Sequence, residues 1–344
     1  MRADERRAGA ALIRQTKPYS EEKVGTTWRL MIITLLVWAA SLSVALFAPY
    51  WPVQLIAGVV TGLVIVRMFI FFHDWLHGAI FREGWSARLG AIIMNFVGWY
   101  VLSPAPVWRE THDYHHRNNA KMLGASIGSY PTVTTTMWRM MNPSQRRWYA
   151  FARHPLNMML GYVTLFMGGM CIAPFVRNPK LHWQGPAALA THFVVLGLVG
   201  WFIGVDAAVF GVVVPAMVSS AAGAYLFYAQ HNFPGIELRD RREWTYHHAA
   251  LKCSSMFDMS PIMHWFTGNI GYHHVHHLNH KIPFYRLPEA MEAMPELQTP
   301  YRTTWSPKDM WSCLRLKLWD PKQGRLITWA ELEQARQPEA AAAK

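Results

Sequence analysis

The sequence predicts an all-α integral membrane protein with about four transmembrane helices, further interfacial or re-entrant helices, and a cytoplasmic helical cap. Three observations predict it. Of 344 residues, 52% are hydrophobic and only 16% charged. The apolar residues gather in runs of about 20, the length that crosses a ~30 Å hydrocarbon layer. The 17 histidines concentrate beside the ends of those runs. An aromatic content of 14% excludes a disordered chain. Three separated cysteines (Cys171, Cys253, Cys313) and no CxxC exclude a disulfide scaffold or a zinc ribbon.

Residues 1–27 are polar and basic and form a cytoplasmic N-terminal segment. The first span, 28–47, has Arg29 at its edge as its only charge. It is too long for a signal peptide, and a second apolar run, 53–72, follows at once. Arg67, the only charge in that run, is expected to snorkel to the interface. The uncharged link Ala48–Pro52 carries two prolines and suits a tight turn between antiparallel helices. Residues 86–103, with Gly90 and Gly98, read as interfacial. The apolar stretch 156–176 has Arg146, Arg147 and Arg153 before it and Arg177 and Lys180 after it. The positive-inside rule puts both its ends in the cytoplasm, so it is expected to dip rather than cross.

The third and fourth spans are expected at 187–204 and 206–230, joined by a link whose only charge is Asp206. Four spans leave both termini cytoplasmic. The membrane domain then covers 28–290, followed by a cytoplasmic C-terminal tail, 291–344. Within that tail Thr328–Glu331 reads as a capping box and Ala340–Ala343 as a frayed end. No repeat, P-loop or GxGxxG fingerprint occurs. The net charge of +12 is mostly a topology signal, and no nucleic-acid partner is expected.

The histidines carry the chemistry. His73-Asp-Trp-Leu-His77 stands where the second span leaves the bilayer; at i,i+4 both rings share one helix face and can bind one metal ion. His112-Asp-Tyr-His115-His116 follows, with His112 and His115 expected on one face and His116 directed to a second ion. The HxxHH spacing returns as His273-His-Val-His276-His277, and His231 ends the fourth span. All four groups lie at the cytoplasmic ends of spans, and nine imidazoles exceed what one ion can take. Two transition ions in a dimetal site are therefore expected, and imidazole ligands alone do not choose which metal. The absence of HExxH and Glu-x-x-His pairs argues against a zinc protease and a ferritin-like centre. Asp74 and Asn269 are candidates to support the ligands from behind. His154, His182, His192, His264 and His280 stand singly and read as structural or surface groups. Trp75, Trp99, Trp108 and Trp265 read as an interfacial aromatic belt.

The three boxes HDWLH, HDYHH and HHVHH resemble those of the membrane fatty acid desaturase family. The run from Trp265 to Leu278, continued by Ile282-Pro-Phe-Tyr-Arg-Leu-Pro288, is most similar to bacterial acyl-lipid desaturases. The resemblance covers roughly residues 30–290. It implies a di-iron centre at the cytoplasmic face, ligated by His73, His77, His112, His115, His116, His231, His273, His276 and His277. With O2 as co-substrate, that centre would desaturate a membrane acyl lipid or acyl thioester. Phe227 departs from the Asn that the stearoyl-CoA type carries four residues before the His231 equivalent, which weakens transfer of the acyl-CoA substrate class. No HPGG haem motif occurs, so electrons are expected from a separate donor of ferredoxin, rubredoxin or cytochrome b5 type, with its reductase. The expected location is the bacterial inner membrane. A related di-iron oxygenase, such as a carotenoid ketolase or hydroxylase or an alkane hydroxylase, is the alternative. A metal transporter would place its ligands nearer the bilayer midplane.

Overall fold

The computed structural model describes residues 2–121 and 129–334; the expectation for Ala340–Ala343 lies outside the described residues. The chain is an all-α membrane protein that carries, among the described residues, two short two-stranded sheets. After helix α1 (Arg2–Gln15), α2 (Val24–Phe47) and α3 (Trp51–Leu76) run antiparallel. Thr61 donates to Ser41 at 2.9 Å and Arg67 Nε to Thr34 at 2.9 Å, so the later residue pairs with the earlier partner as a hairpin requires. Helix α4 (Gly84–Tyr100) then meets α5 (Ala105–Asn118) at 89°. The chain turns there through Leu102, at φ 54°, and Pro104. Helix α6 (Tyr162–Arg177) is apolar but, at ~1.5 Å per residue, reaches only about 24 Å. Most of it, Tyr162–Ile172, is wound as a π-helix. Helices α7 (Gln184–Phe202) and α8 (Val205–His231) complete, among the described residues, a set of four with α2 and α3 that are long and apolar enough to cross a membrane, and the bent pair α4–α5 would add a fifth if it were one broken span.

Glycines bring α8 against α3. A Cβ on Gly58 would stand 2.3 Å from the Phe210 carbonyl oxygen, and one on Gly62 2.7 Å from the Val218 Cβ. This GxxxG spacing lets the two backbones touch, the usual device where lipid supplies no hydrophobic drive between helices. It also sets the histidine-bearing ends of α3 and α8 side by side.

Arg67 does not snorkel. It is 3% exposed, its Nε donates to Thr34 and its Nη1 to the Trp265 carbonyl, and its guanidinium lies 4.5 Å from the Trp265 ring centroid. With donors satisfied and an aromatic face to meet its charge, the side chain need not reach water.

Residues 291–334 are not a loose tail. Leu297, Cys313, Leu316 and Trp319 are buried, the last three packed with Tyr225 and Tyr228 of α8. Strand β1 (Met256–Phe257) pairs in parallel with β2 (Arg302–Thr303), and β3 (Leu318–Asp320) pairs antiparallel with β4 (Arg325–Ile327). The guanidinium of Arg153, 0% exposed, fastens this region to α8: it donates to Pro131 O at 2.7 Å, Thr132 Oγ1 at 3.1 Å, Tyr228 OH at 3.3 Å, Leu316 O at 3.2 Å and Asn232 Oδ1. Thr328 and Glu331 form the reciprocal capping box that their spacing predicts.

Candidate metal centre

Helix α3 extends past the apolar run and carries His73 in its last turn, with His77 as its C-cap. Helix α5 supplies His112, His115 and His116, α8 ends on His231, and the short helix α9 (His273–Leu278) supplies His273, His276 and His277. The structure brings all nine together as two clusters. His73, His77, His112, His116 and His276 form the first; His115, His231, His273 and His277 form the second.

The division differs from the one expected within the boxes. His112 shares its cluster with His116, at 3.1 Å between Nε2 atoms, while His115 faces the other way. Box three repeats this: His273 and His277 meet at 3.1 Å, and His276 crosses to the first cluster, 3.1 Å from His116. Along a helix, i and i+4 stand almost directly one above the other, closer to alignment than i and i+3. Each box thus gives its i,i+4 pair to one cluster, and boxes two and three each lend their middle histidine to the other.

The nitrogens are arranged for cations. His231 Nδ1 donates to the Cys253 carbonyl at 3.0 Å, which leaves its Nε2 a bare acceptor. That Nε2 faces three others: His273 at 2.9 Å, and His115 and His277 at 3.1 Å each. One lone pair cannot be satisfied by three imidazoles, whereas a cation among them satisfies all four. A point equidistant from nitrogens so spaced lies about 2 Å from each, close to the ~2.0–2.1 Å of a metal–imidazole bond. In the first cluster His77 Nε2 is buried with no hydrogen-bond partner among the described residues. Burial holds His273, His276 and His277 well below the usual imidazole range, with neighbouring histidines adding to the effect. Neutral rings keep their lone pairs for a metal, so each cluster can hold an ion.

The supports are partly those expected. Asp74 Oδ1 lies 3.0 Å from His73 Nδ1, and its Oδ2 accepts the Phe284 N–H at 2.7 Å. That fixes the tautomer and leaves His73 Nε2 for the cluster. Asn269, at φ 54°, sits in the turn before α9 and donates to the Phe284 carbonyl at 3.2 Å, so it supports the loop rather than a ligand. His274 points away and donates to Leu297 O at 3.0 Å.

His280 was missed. Its ring lies 4.8 Å from that of His77 and 5.3 Å from that of His116. Its place four residues after His276 accounts for that position. Burial and the Lys281 charge lower it to about 4.

A cavity of about 480 Å³ opens from the clusters, touching His73, His112 and His273. Its lining is mainly apolar: Ile65, Phe69 and Ile70 of α3, Phe166 and Met170 of α6, and Gly223, Ala224 and Phe227 of α8. On α8 the lining runs from Gln230 to Ser219, about 16 Å at ~1.5 Å per residue. Trp108, expected in an interfacial belt, lines the wall of this cavity and stacks on His112, 4.6 Å between centroids and 19° between planes. Phe227 places an apolar ring 5.0 Å from His115 and 5.4 Å from His231.

Helices apolar enough to span, two adjacent imidazole clusters that could each hold a metal ion, and an apolar cavity leading away define a membrane protein of the three-histidine-box kind. The comparisons with known proteins name the family. The family model described as Fatty acid desaturase matches residues 47–308, and the chain belongs to that family. A fatty acid desaturase of Bacillus subtilis (strain 168) is 26% identical over 78% of this chain and 75% of its own length. The sn-1 acyl-lipid omega-3 desaturase (ferredoxin) of Nostoc sp. (strain 36) is 24% identical over 79% of this chain and 74% of its own. The chloroplastic omega-6 fatty acid desaturase of Spinacia oleracea is 21% identical over 84% and 63%.

Proposed function

We propose that this protein is an O2-dependent di-iron acyl-lipid desaturase of a bacterial inner membrane, with termini and metal centre on the cytoplasmic side. The observation that carries the reading is the pair of imidazole clusters at the head of a long apolar cavity. His73, His77, His112, His116 and His276 would hold one iron, and His115, His231, His273 and His277 the other. Bound iron would supply the activation of O2 that removing hydrogen from an unactivated CH2 requires, which lies beyond side-chain acid–base chemistry. The overall reaction balances as one CH2–CH2 unit, one O2, two electrons and two protons giving one CH=CH unit and two waters.

The chain's own residues do the rest. The apolar walls take up the acyl chain and exclude water. Trp108 and Phe227 press on His112, His115 and His231 and hold the rings at the cavity head. The Asp74 carboxylate keeps the proton of His73 on Nδ1. The substrate is a bilayer component and the electrons come from a separate carrier of ferredoxin, rubredoxin or cytochrome b5 type.

Expression in a host whose lipids are saturated, followed by mass spectrometry of its fatty acids, tests the reading. New double bonds that need O2 and disappear with His276→Ala are expected. Added oxygen without unsaturation would transfer the chain to the oxygenase reading, and an unchanged lipid profile from iron-loaded protein would overturn both.

A further inference from the structure

Turnover by the reading above consumes two electrons, and a carrier that delivers them must dock on the surface. The residues around Trp244 are built for that contact. The half-buried indole donates from Nε1 to the Asn119 carbonyl at 2.8 Å. Asn119 caps α5 three residues after His116. Its own side chain donates to Ser254 Oγ at 3.1 Å, and the preceding residue's carbonyl, Cys253 O, receives the His231 Nδ1 proton. One aromatic ring is thereby wired to both clusters: by three residues of backbone to His116, and by hydrogen bonds to His231. Electron tunnelling weakens steeply with distance and with every through-space gap, so a ring hydrogen-bonded to Asn119, from which backbone leads to His116 and a hydrogen-bonded relay leads to His231, is a favourable point of entry.

The charge around the ring is cationic. Lys121 Nζ lies 4.2 Å from the Trp244 centroid and donates to the Arg117 carbonyl at 3.3 Å. Arg117, Arg241 and Arg242 are exposed, and the guanidinium groups of Arg241 and Arg242 meet no carboxylate among the described residues. Of the acidic groups nearby, Glu237 faces Lys252 at 3.8 Å and Glu5 faces Arg239 at 2.6 Å; Asp240, which accepts the Arg242 and Glu243 N–H groups, and the exposed Glu243 offset only two of the four cations Arg117, Lys121, Arg241 and Arg242. A cationic rim about an aromatic contact favours an anionic partner, and steers it at low salt.

We propose that Trp244, rimmed by Arg117, Lys121, Arg241 and Arg242, is the docking and electron-entry point for an acidic one-electron carrier protein. Two reduced carriers dock in turn; each is oxidised by one electron, and the metal centre is reduced by the two together. The inference rests on the desaturase reading, and the test separates the two.

Iron-loaded protein in detergent is mixed separately with a reduced [2Fe–2S] ferredoxin, reduced rubredoxin and reduced cytochrome b5. Binding, stopped-flow oxidation of the carrier and lipid double bonds are recorded for the carrier that serves wild type, and a viologen mediator provides reduction without docking. Arg241→Glu with Arg242→Glu weakens carrier binding about tenfold at low salt, a difference that shrinks near 1 M salt where the screening length is ~3 Å. Trp244→Leu leaves binding within about twofold but slows carrier oxidation about fivefold or more, with Trp244→Phe between it and wild type. In all three variants viologen-driven desaturation matches wild type. Carrier oxidation unchanged in the charge and indole variants overturns the entry point, as does a wild type that viologen reduces and none of the three carriers does. Failure of viologen-reduced wild type to form double bonds overturns the desaturase reading instead.

Discussion

The Asp74 carboxylate accepts the backbone N–H of Phe284 at 2.7 Å across 210 residues of sequence. Its other oxygen meets His73 Nδ1 at 3.0 Å. One side chain therefore sets a ligand's tautomer and ties the loop after box three to the end of α3. Asp74→Asn is expected to lower iron affinity or double-bond formation about 10–100-fold, the usual cost of losing such a support. Iron per chain and the fatty acid profile measure it. Wild-type values for both would show that Asp74 does not orient His73.

The first cluster has five imidazoles and the second has four, so the two respond unequally to loss of one. His115→Ala is expected to bring iron down to about one per chain, because three ligands remain, while His276→Ala keeps a larger share through its four. Both lose nearly all activity. Elemental analysis with Mössbauer spectroscopy tells the sites apart; equal iron loss in the two variants counts against the division. His280→Leu is expected to retain both irons.

Gly223 lines the cavity on α8, and a Cβ there meets nothing within 4 Å. Gly223→Phe therefore places a ring in the cavity without clashing at its root. The expected outcome is a shift toward shorter acyl substrates, with the long-to-short product ratio falling about tenfold or more and the iron content unchanged. An unaltered chain-length profile would show that the acyl chain takes another path.

Arg153 is buried, and its guanidinium serves five acceptors on three stretches of chain. Lysine cannot reproduce a planar fork, so Arg153→Lys is expected to destabilise by about 2–4 kcal/mol through lost charged hydrogen bonds. Tryptophan fluorescence during thermal unfolding in detergent reads this as a lowered Tm. A Tm within a degree of wild type would mean that lysine satisfies the same acceptors.

The boxes were legible because i,i+4 pairing is local: His73 with His77, His112 with His116 and His273 with His277 follow from helix geometry. The spans were legible from run length. What escaped was set by contacts between distant segments. Arg67 looks like a snorkelling residue until Trp265, 198 residues later, supplies a carbonyl and a ring. Trp108 reads as a belt residue until α4 and α5 turn through 89° and bring it over His112. The burial of residues 291–334 depends on Arg153 and α8, which no pattern inside that segment reveals.

The exchange of middle histidines between boxes two and three bears on biogenesis. His116 and His276 meet across 160 residues, and His115 meets His277 across 162. The first cluster is complete only when the ribosome has passed residue 276 and the second only after residue 277, so on the proposed di-iron reading full metallation would follow membrane insertion of α2, α3, α7 and α8. Because each cluster then draws on both α5 and α9, an ion in either one clasps the same two helices together. The first ion to arrive shapes the berth of the second, and a cell short of iron would accumulate an inserted chain whose clasp is open.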